Sequence, residues 1–401
     1  MKLQNHSLQL KGKSFLPIFA GGMGVNISTA ELALVASDLG AIGHISDAMI
    51  QQVSDKLYQT NYSKLKQKKH RLSLLCEDKS QVKFDLEHLY NSQRVHVERT
   101  MNRKKGDGLI FLNIMERLTM GAPSDTLKTR LTAALDAGID GVTLSAGLHL
   151  GTLGLIKEHP RFNDTLIGII VSSVRALRAF LKSASRHSRL PDYIIVEGPL
   201  AGGHLGFGDD WEKFDLNTIV REVSNYLSEA SLSIPIIAAG GIFSGEDALK
   251  SISFGASGVQ IATRLTVTKE SGLPEHVKQE YFKANKSDLV VNNLSPSGYL
   301  MRMLKSSPCL ESNVRPACEA FGYMLSREGK CAYIDSFKAA NPDWKSRNKV
   351  QDKMCLCHHF SKCTCYTCGE NVYRLKDKAK QGSDGIYELP DARDVFMDYL
   401  S

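Results

Sequence analysis

Eight short apolar runs, each followed by a polar stretch with helical spacing, punctuate the first 270 residues of the chain. The clearest unit lies between Leu232 and Glu270. There IPIIAA runs into Gly240-Gly241, SGEDALKSISFG follows with helical spacing, and GVQIATR closes the unit. Strand, glycine turn, helix and strand in that order make a βαβ unit. The other runs are LPIFA, AIGHIS (41–46), LIFLNIM (109–115), GVTLSAG (141–147), LIGIIVSS (166–173) and DYIIVEG (192–198). Near-continuous apolar runs suit parallel strands covered on both faces, because neither face meets water. Eight of them alternating with helices give an α/β chain with the (β/α)8 pattern of a TIM barrel. An open doubly wound sheet is the competing arrangement. The length of the chain and the spread of glycine turns along the whole series favour the barrel.

Helix punctuation supports the alternation. Ser28 and Glu31 have the spacing of a capping box, and Gly40 is placed to stop the helix that they would start. Pro123 and Gly138 bracket another helix in the same way. Residues 47–107 break the rhythm and read as a helical insertion between the second and third strands. The barrel then occupies residues 1–270. Residues 271–345, with SPSGY at 295–299, read as a lid over its mouth. Residues 346–401 read as a separate, cysteine-rich appendage.

No apolar run reaches the roughly 20 residues that span a bilayer. The amino-terminal stretch MKLQNHSLQLKGKSF lacks the apolar core of a signal peptide, so a cytoplasmic protein is expected. The net charge is +7, partly from KLKQKKHR at 64–71. No aromatic platform or binding motif accompanies that run. It reads as a solvated helix face, and nucleic acid is not an expected partner.

In a parallel α/β fold, ligands bind at the carboxyl ends of the strands. Those ends carry small residues here: GGMG (21–24), Asn113, SAG (145–147), EGPLAGGH (197–204), GGI (240–242) and ATR (262–264). Glycines let main-chain amides approach a phosphate closely, and the start of the next helix adds unpaired N–H groups. The unit at 232–270 is therefore expected to grip the phosphate of a flavin mononucleotide (FMN).

PIFAGGMG, IFLNIM, VEGPLAGGHLGF, IIAAGGI, GASGVQIATR and SPSGY occur in this order, and together they resemble the nitronate monooxygenase (2-nitropropane dioxygenase) family. That family includes FMN-dependent enoyl-acyl-carrier-protein reductases. The resemblance spans roughly residues 14–305, and it implies a TIM barrel, non-covalent FMN and an active-site histidine. Carried onto this chain, it implies that Gly21, Gly22 and Met23 pass close to the flavin ring. Asn113 is expected to hydrogen-bond the flavin, and Gly202 and Gly203 to sit beside it. Gly240, Gly241, Ala262 and Thr263 are expected to hold the phosphate, with Gln260 at the flavin edge.

His204, in the strand-end loop AGGHLG, is the expected catalytic residue. Imidazole titrates near neutral pH and moves a proton readily. His149 and His44 also fall near strand ends, with His149 the better second candidate. Glu197 closes the strand before the histidine loop. Two reactions fit. One oxidises nitronates or nitroalkanes with oxygen through reduced flavin. The other uses NAD(P)H to reduce FMN, which then reduces an enoyl thioester, with an acyl carrier protein as partner, or a quinone. A non-catalytic flavin-binding scaffold is a third reading. Barrels of this kind self-associate, so a homo-oligomer acting on a small molecule is expected.

Nine cysteines are present, and CLCHHFSKCTCYTC (355–368) holds five of them. In a chain with no need of disulfides, such crowding reads as metal-binding or redox-sensitive before it reads as a disulfide staple. If a structural zinc is held there, Cys355, Cys363, Cys365 and Cys368 are the expected ligands.

Overall fold

The eight apolar runs form strands because each buries side chains on both faces. They are β1 (Ile18–Ala20), β2 (Ile42–Ser46), β3 (Leu109–Met115), β4 (Gly141–Ser145), β5 (Leu166–Val171), β6 (Tyr193–Glu197), β7 (Ile236–Ala239) and β8 (Gly258–Ile261). All pair in parallel with their neighbours in sequence, and β8 pairs with β1 to close the barrel. This computed structural model describes residues 2–75, 79, 81–116, 118–119, 122–321, 323–324 and 331–401. Cys76 lies outside the described residues.

Two layers of core follow from the alternation of side chains along the strands. Inside the barrel, the rings of Phe19, His44, Phe111 and Tyr193 pack with centroids 5.3 to 6.0 Å apart. Gly168 makes room for them: a Cβ there would lie 2.1 Å from the Tyr193 ring. His44 is a core residue, bonded to the Ala20 carbonyl and to Thr143 Oγ1, both at 2.6 Å. Burial draws its pKa down to about 4, so it is neutral. The second layer lies between strands and helices and is the largest apolar cluster of the molecule.

The outer helices are α1 (Ala30–Asp38), α2 (Leu86–Met101), α3 (Pro123–Asp136), α4 (Thr152–Ile156), α5 (Val174–Ala184), α6 (Leu216–Glu229), α7 (Gly245–Ser253) and α8 (Ala392–Leu400). Between β2 and α2 stand two further helices, Ile50–Tyr58 and Tyr62–Lys69, with a short 3-10 turn. Among the described residues, no helix is long and apolar enough to cross a membrane.

The end of the chain is not a separate appendage. Helix α8 packs between α7 and α1, the place where a barrel's eighth helix belongs. Ala392, Val395, Phe396, Tyr399 and Leu400 are buried in the main barrel cluster. Arg264, just after β8, pairs with Asp398 at 2.6 Å and stacks over the Tyr399 ring at 4.9 Å. Gly245, opening α7, lies against the Tyr399 carbonyl, where a Cβ would sit 2.5 Å from the oxygen.

A fully buried Phe truncated to Ala costs about 3–5 kcal/mol. Phe396→Ala is therefore expected to lower the midpoint of the main cooperative transition in a urea melt of the whole chain. A variant with an unchanged main transition and a new, small early one would mean that the tail folds apart from the barrel.

Candidate active site

The ends of six strands and one crossing segment build a single cleft at the carboxyl rim. Its wall includes Gly21, Gly22, Met23, Gly202, Gly203, His204, Gly240, Gly241, Gln260, Ala262 and Thr263, together with Glu197. It holds about 1230 Å³ of empty space, part of it open to solvent.

After β1, the turn at Gly21–Met23 is pinned by a serine. Ser28 Oγ donates to the Gly21 carbonyl at 2.6 Å and accepts from the Met23 amide at 2.8 Å. Ser28 is thus not a helix cap. Thr29 caps α1 by accepting from the Leu32 amide, and Glu31 pairs instead with Arg103. Asn113, near the end of β3, lies directly against Gly22: a Cβ on Gly22 would be 2.4 Å from the Asn113 Cβ.

After β7, Gly240 and Gly241 take φ of 91° and 95°, a region that side chains resist. Gly240 sits on the Gly198 carbonyl and Gly241 on Leu200. The start of α7 differs from expectation. Asp247 Oδ2 accepts from the Phe243 and Ser244 amides at 2.9 and 3.0 Å, and Ser244 Oγ accepts from the Asp247 amide. This capping box takes the Phe243, Ser244 and Asp247 amides.

His204 lies half-buried on a short strand, Gly203–His204, that pairs antiparallel with Met301–Leu304. Its Nε2 lies 2.7 Å from Ser295 Oγ, which in turn lies 2.6 Å from Ser297 Oγ. SPSGY therefore backs the histidine. Burial draws the imidazole down to about 4, leaving it neutral near pH 7. Burial pushes the nearby Glu197 carboxyl up to about 7.

The histidine loop is held from behind by Arg302, a fully buried side chain. Its Nη1 donates to the Pro199 and Ala201 carbonyls, both at 2.7 Å. Its Nε lies 3.0 Å from Glu370 Oε2, and its guanidinium stacks 4.6 Å from the Trp211 ring. Glu370 belongs to the cysteine-rich segment, which crosses the mouth and adds Phe360, Thr367, Cys368 and Gly369 to the cleft wall. The Glu370 amide donates to the Leu200 carbonyl at 3.1 Å, and Asn371 Nδ2 to the Gly241 carbonyl at 2.8 Å.

The family model for nitronate monooxygenase matches residues 8–378. The chain belongs to the nitronate monooxygenase family. A probable nitronate monooxygenase of Staphylococcus saprophyticus is 26% identical over 282 residues, covering 69% of this chain and 72% of that one. A Mycobacterium tuberculosis relative, named as a dehydrogenase of a hydroxy-methyl-oxo-octahydroindene carboxyl-CoA, is 32% identical over 164 residues, covering 40% of this chain and 42% of that one. Among solved structures, FabK from Thermotoga maritima superimposes with a TM-score of 0.56 at 20% identity, covering 96% of this chain and 91% of that one. A nitroalkane oxidase from Streptomyces ansochromogenes gives 0.57 at 16% identity, covering 96% and 94%. The likeness to both is one of fold.

As a nitronate monooxygenase family member, the protein is an enzyme, an oxidoreductase of the FMN-flavin type, and not a bare scaffold. The cleft fits such a cofactor. A Cβ at Gly21, Gly22, Gly202, Gly240 or Gly241 would intrude on a neighbouring atom at 3.2 Å or less. These glycines let neighbouring segments of the cleft wall pack on one another more closely than a side chain would allow.

The other expected residues scatter. His149 is buried outside the cleft, with Nε2 2.7 Å from the Ser145 carbonyl and Nδ1 2.9 Å from Thr152 Oγ1. The four expected zinc ligands do not meet. Cys355 packs with Tyr333 and Phe337, Cys365 with Cys309 and Met303, and Cys368 at the cleft, while Cys363 belongs to none of these clusters. Among the described residues, no three His, Cys, Asp or Glu side chains are grouped to hold a metal.

Sequence reasoning missed Ser28, Ser295, Arg302 and the crossing segment. One signal was available: Arg302 interrupts the apolar run MRML, and an arginine there must find partners inside the protein.

Gly369 touches Thr263, where a Cβ would lie 2.5 Å from Thr263 Oγ1. Gly369→Ala is expected to weaken FMN binding by about tenfold or more, since a displacement worth 1.4 kcal/mol is enough. Fluorescence titration of FMN checks this, and an unchanged affinity would mean that the crossing segment does not shape the cofactor end of the cleft.

Proposed function

We propose that the cleft holds FMN with its phosphate against Gly240, Gly241, Ala262 and Thr263, and that the enzyme oxidises nitronates. The flavin ring lies over the Gly21–Met23 turn and Asn113, flanked by Gly202 and Gly203, with Gln260 at its edge. The observation that carries this reading is the set of strand-end glycines facing one cleft with His204 on its wall. Among the described residues no Lys or Arg lines the cleft, so main-chain amides and the Thr263 hydroxyl are the groups offered to the phosphate. Bound there, FMN supplies the acceptor for the substrate's electrons and passes them on to oxygen.

His204 is the substrate-facing residue. Ser295 holds its Nε2 and fixes the ring, leaving Nδ1 for the substrate. A neutral imidazole of low basicity is a poor base toward a carbon acid. It is well suited to hydrogen-bond a nitronate that arrives already ionised. An anion beside it raises the imidazole's proton affinity, and that strengthens the same contact. Met23, Ala48, Met115 and Phe360 offer apolar wall for the alkyl part.

The second reading is an NAD(P)H-dependent reductase of enoyl thioesters, carried by an acyl carrier protein or coenzyme A. What favours it is the Mycobacterium tuberculosis relative, whose name specifies a coenzyme A thioester. Anaerobic mixing separates the two. Propyl nitronate is expected to bleach the flavin absorbance, with NADH and NADPH leaving it unchanged. Bleaching by NAD(P)H alone would replace the first reading with the second. His204→Ala is expected to keep FMN but slow turnover by about 10²-fold or more, the usual scale of such proton and hydrogen-bond help. Wild-type turnover in that variant would take His204 out of the chemistry.

A further inference from the structure

The segment that crosses the cleft is attached to the protein beneath it by a short, ordered set of contacts. The Leu304 amide donates to the Tyr366 carbonyl at 3.0 Å, and Met303 and Thr367 form an isolated antiparallel bridge. The Tyr366 amide donates to Ser307 Oγ at 3.0 Å, and Tyr281 OH to the Thr367 carbonyl at 2.7 Å. At the head of this seam two sulfurs meet. Cys309 Sγ and Cys365 Sγ lie 3.6 Å apart, though 56 residues separate them in sequence. Both are buried free thiols. Cys309 Sγ also lies 3.1 Å from Ser307 Oγ and 3.4 Å from Met354 Sδ.

We infer that Cys309 and Cys365 are a redox pair that closes to a disulfide, stapling residues 365–370 across the cofactor end of the cleft. Three observations carry this. The sulfurs already touch, so the approach from 3.6 Å to the roughly 2 Å of a disulfide is small. The pair joins the two strips whose contacts form the seam, Met303–Cys309 and Thr364–Thr367, so the bond would lock contacts already made. Three residues beyond Cys365 the chain forms the cleft wall, with Cys368 and Gly369 against Gly202 and Thr263.

Hydrogen bonding with Cys365 and Ser307 draws the Cys309 thiol below its ordinary range against the effect of burial. Cys309 is taken as the attacking sulfur and Cys365 as the resolving one, and the same disulfide forms in either order. The oxidant is a hydroperoxide, with hydrogen peroxide as the smallest example. Cys309 thiolate attacks one peroxide oxygen, the O–O bond breaks, and the leaving hydroxide takes up a proton to become water. Cys365 sulfur then displaces hydroxide from the Cys309 sulfenic acid, and its proton leaves with that hydroxide as a second water. Two thiols give up two electrons to one peroxide. A dithiol reductant reverses the reaction.

The consequence for the cleft rests on the FMN reading, while the disulfide itself does not. A covalent link beside Gly369 hinders the opening that lets a phosphate leave from Thr263.

The experiment uses the full chain purified with FMN, treated with hydrogen peroxide, alkylated, digested and analysed by mass spectrometry. The expected product links the Cys309 and Cys365 peptides, with a mass lower than the two thiol forms by two hydrogens. Dithiothreitol removes it, and Cys309→Ser and Cys365→Ser each abolish it. FMN release from the oxidised protein is expected to be about tenfold or more slower, the change falling in the dissociation rate. Full alkylation of both residues after peroxide treatment, or a link from either one to Cys363 or Cys368, overturns the pair. A correct link with an unchanged release rate overturns the staple's effect on the cleft. A correct link in a protein that never binds FMN supports the redox pair and counts against the cofactor reading instead.

Discussion

Backbone laid on its neighbours with little side chain between is the contact on which the site depends. Gly22 rests on Asn113, Gly202 on the Cys368–Gly369 peptide, Gly240 on the Gly198 carbonyl, and Gly369 on Thr263. Each contact brings a rim segment nearer than a Cβ would permit. Parallel closure makes this possible, because all eight strands end at one rim and their turns converge there. The rim is therefore rich in main-chain groups and poor in charged side chains. Such a surface recognises an anion by hydrogen-bond geometry more than by net charge.

Behind that rim, one guanidinium joins segments far apart in sequence. Arg302 bonds two carbonyls of the histidine loop and pairs with Glu370 in the crossing segment. A buried arginine is costly unless fully partnered, and losing one partner leaves the other charge exposed to that cost. The position of His204 and the position of the crossing segment are thus coupled. Ser295 completes the arrangement by holding the imidazole from the opposite side.

The barrel was legible in sequence because its strands are buried on both faces. LIFLNIM and DYIIVEG show this without help from any partner. The glycine turns were legible for the same local reason. What could not be read locally was pairing across long distances. Ser28 has the spacing of a cap, yet its hydroxyl serves the Gly21–Met23 turn while Thr29 does the capping. Asp247 reaches back to take the Phe243 and Ser244 amides at the start of α7, a pairing that the glycine turn before it does not announce. The cysteines crowd in sequence but disperse in space, because the segment passes from a helix, Leu356–Ser361, into an irregular stretch whose side chains enter different clusters. Helix α8 looked like the end of an appendage, since nothing in PDARDVFMDYLS says which groove it fills. Its apolar residues fill the gap between α7 and α1 that β8 leaves open.

The central claim is that main-chain amides and Thr263 grip a phosphate at the end of a flavin. Comparing the affinities of FMN and riboflavin by fluorescence quenching tests it most directly, because the two differ only in that group. Several charge-assisted hydrogen bonds, each worth about 1.5–3 kcal/mol, predict FMN tighter by roughly a hundredfold or more. Equal affinities, or a preference for riboflavin, would contradict the account.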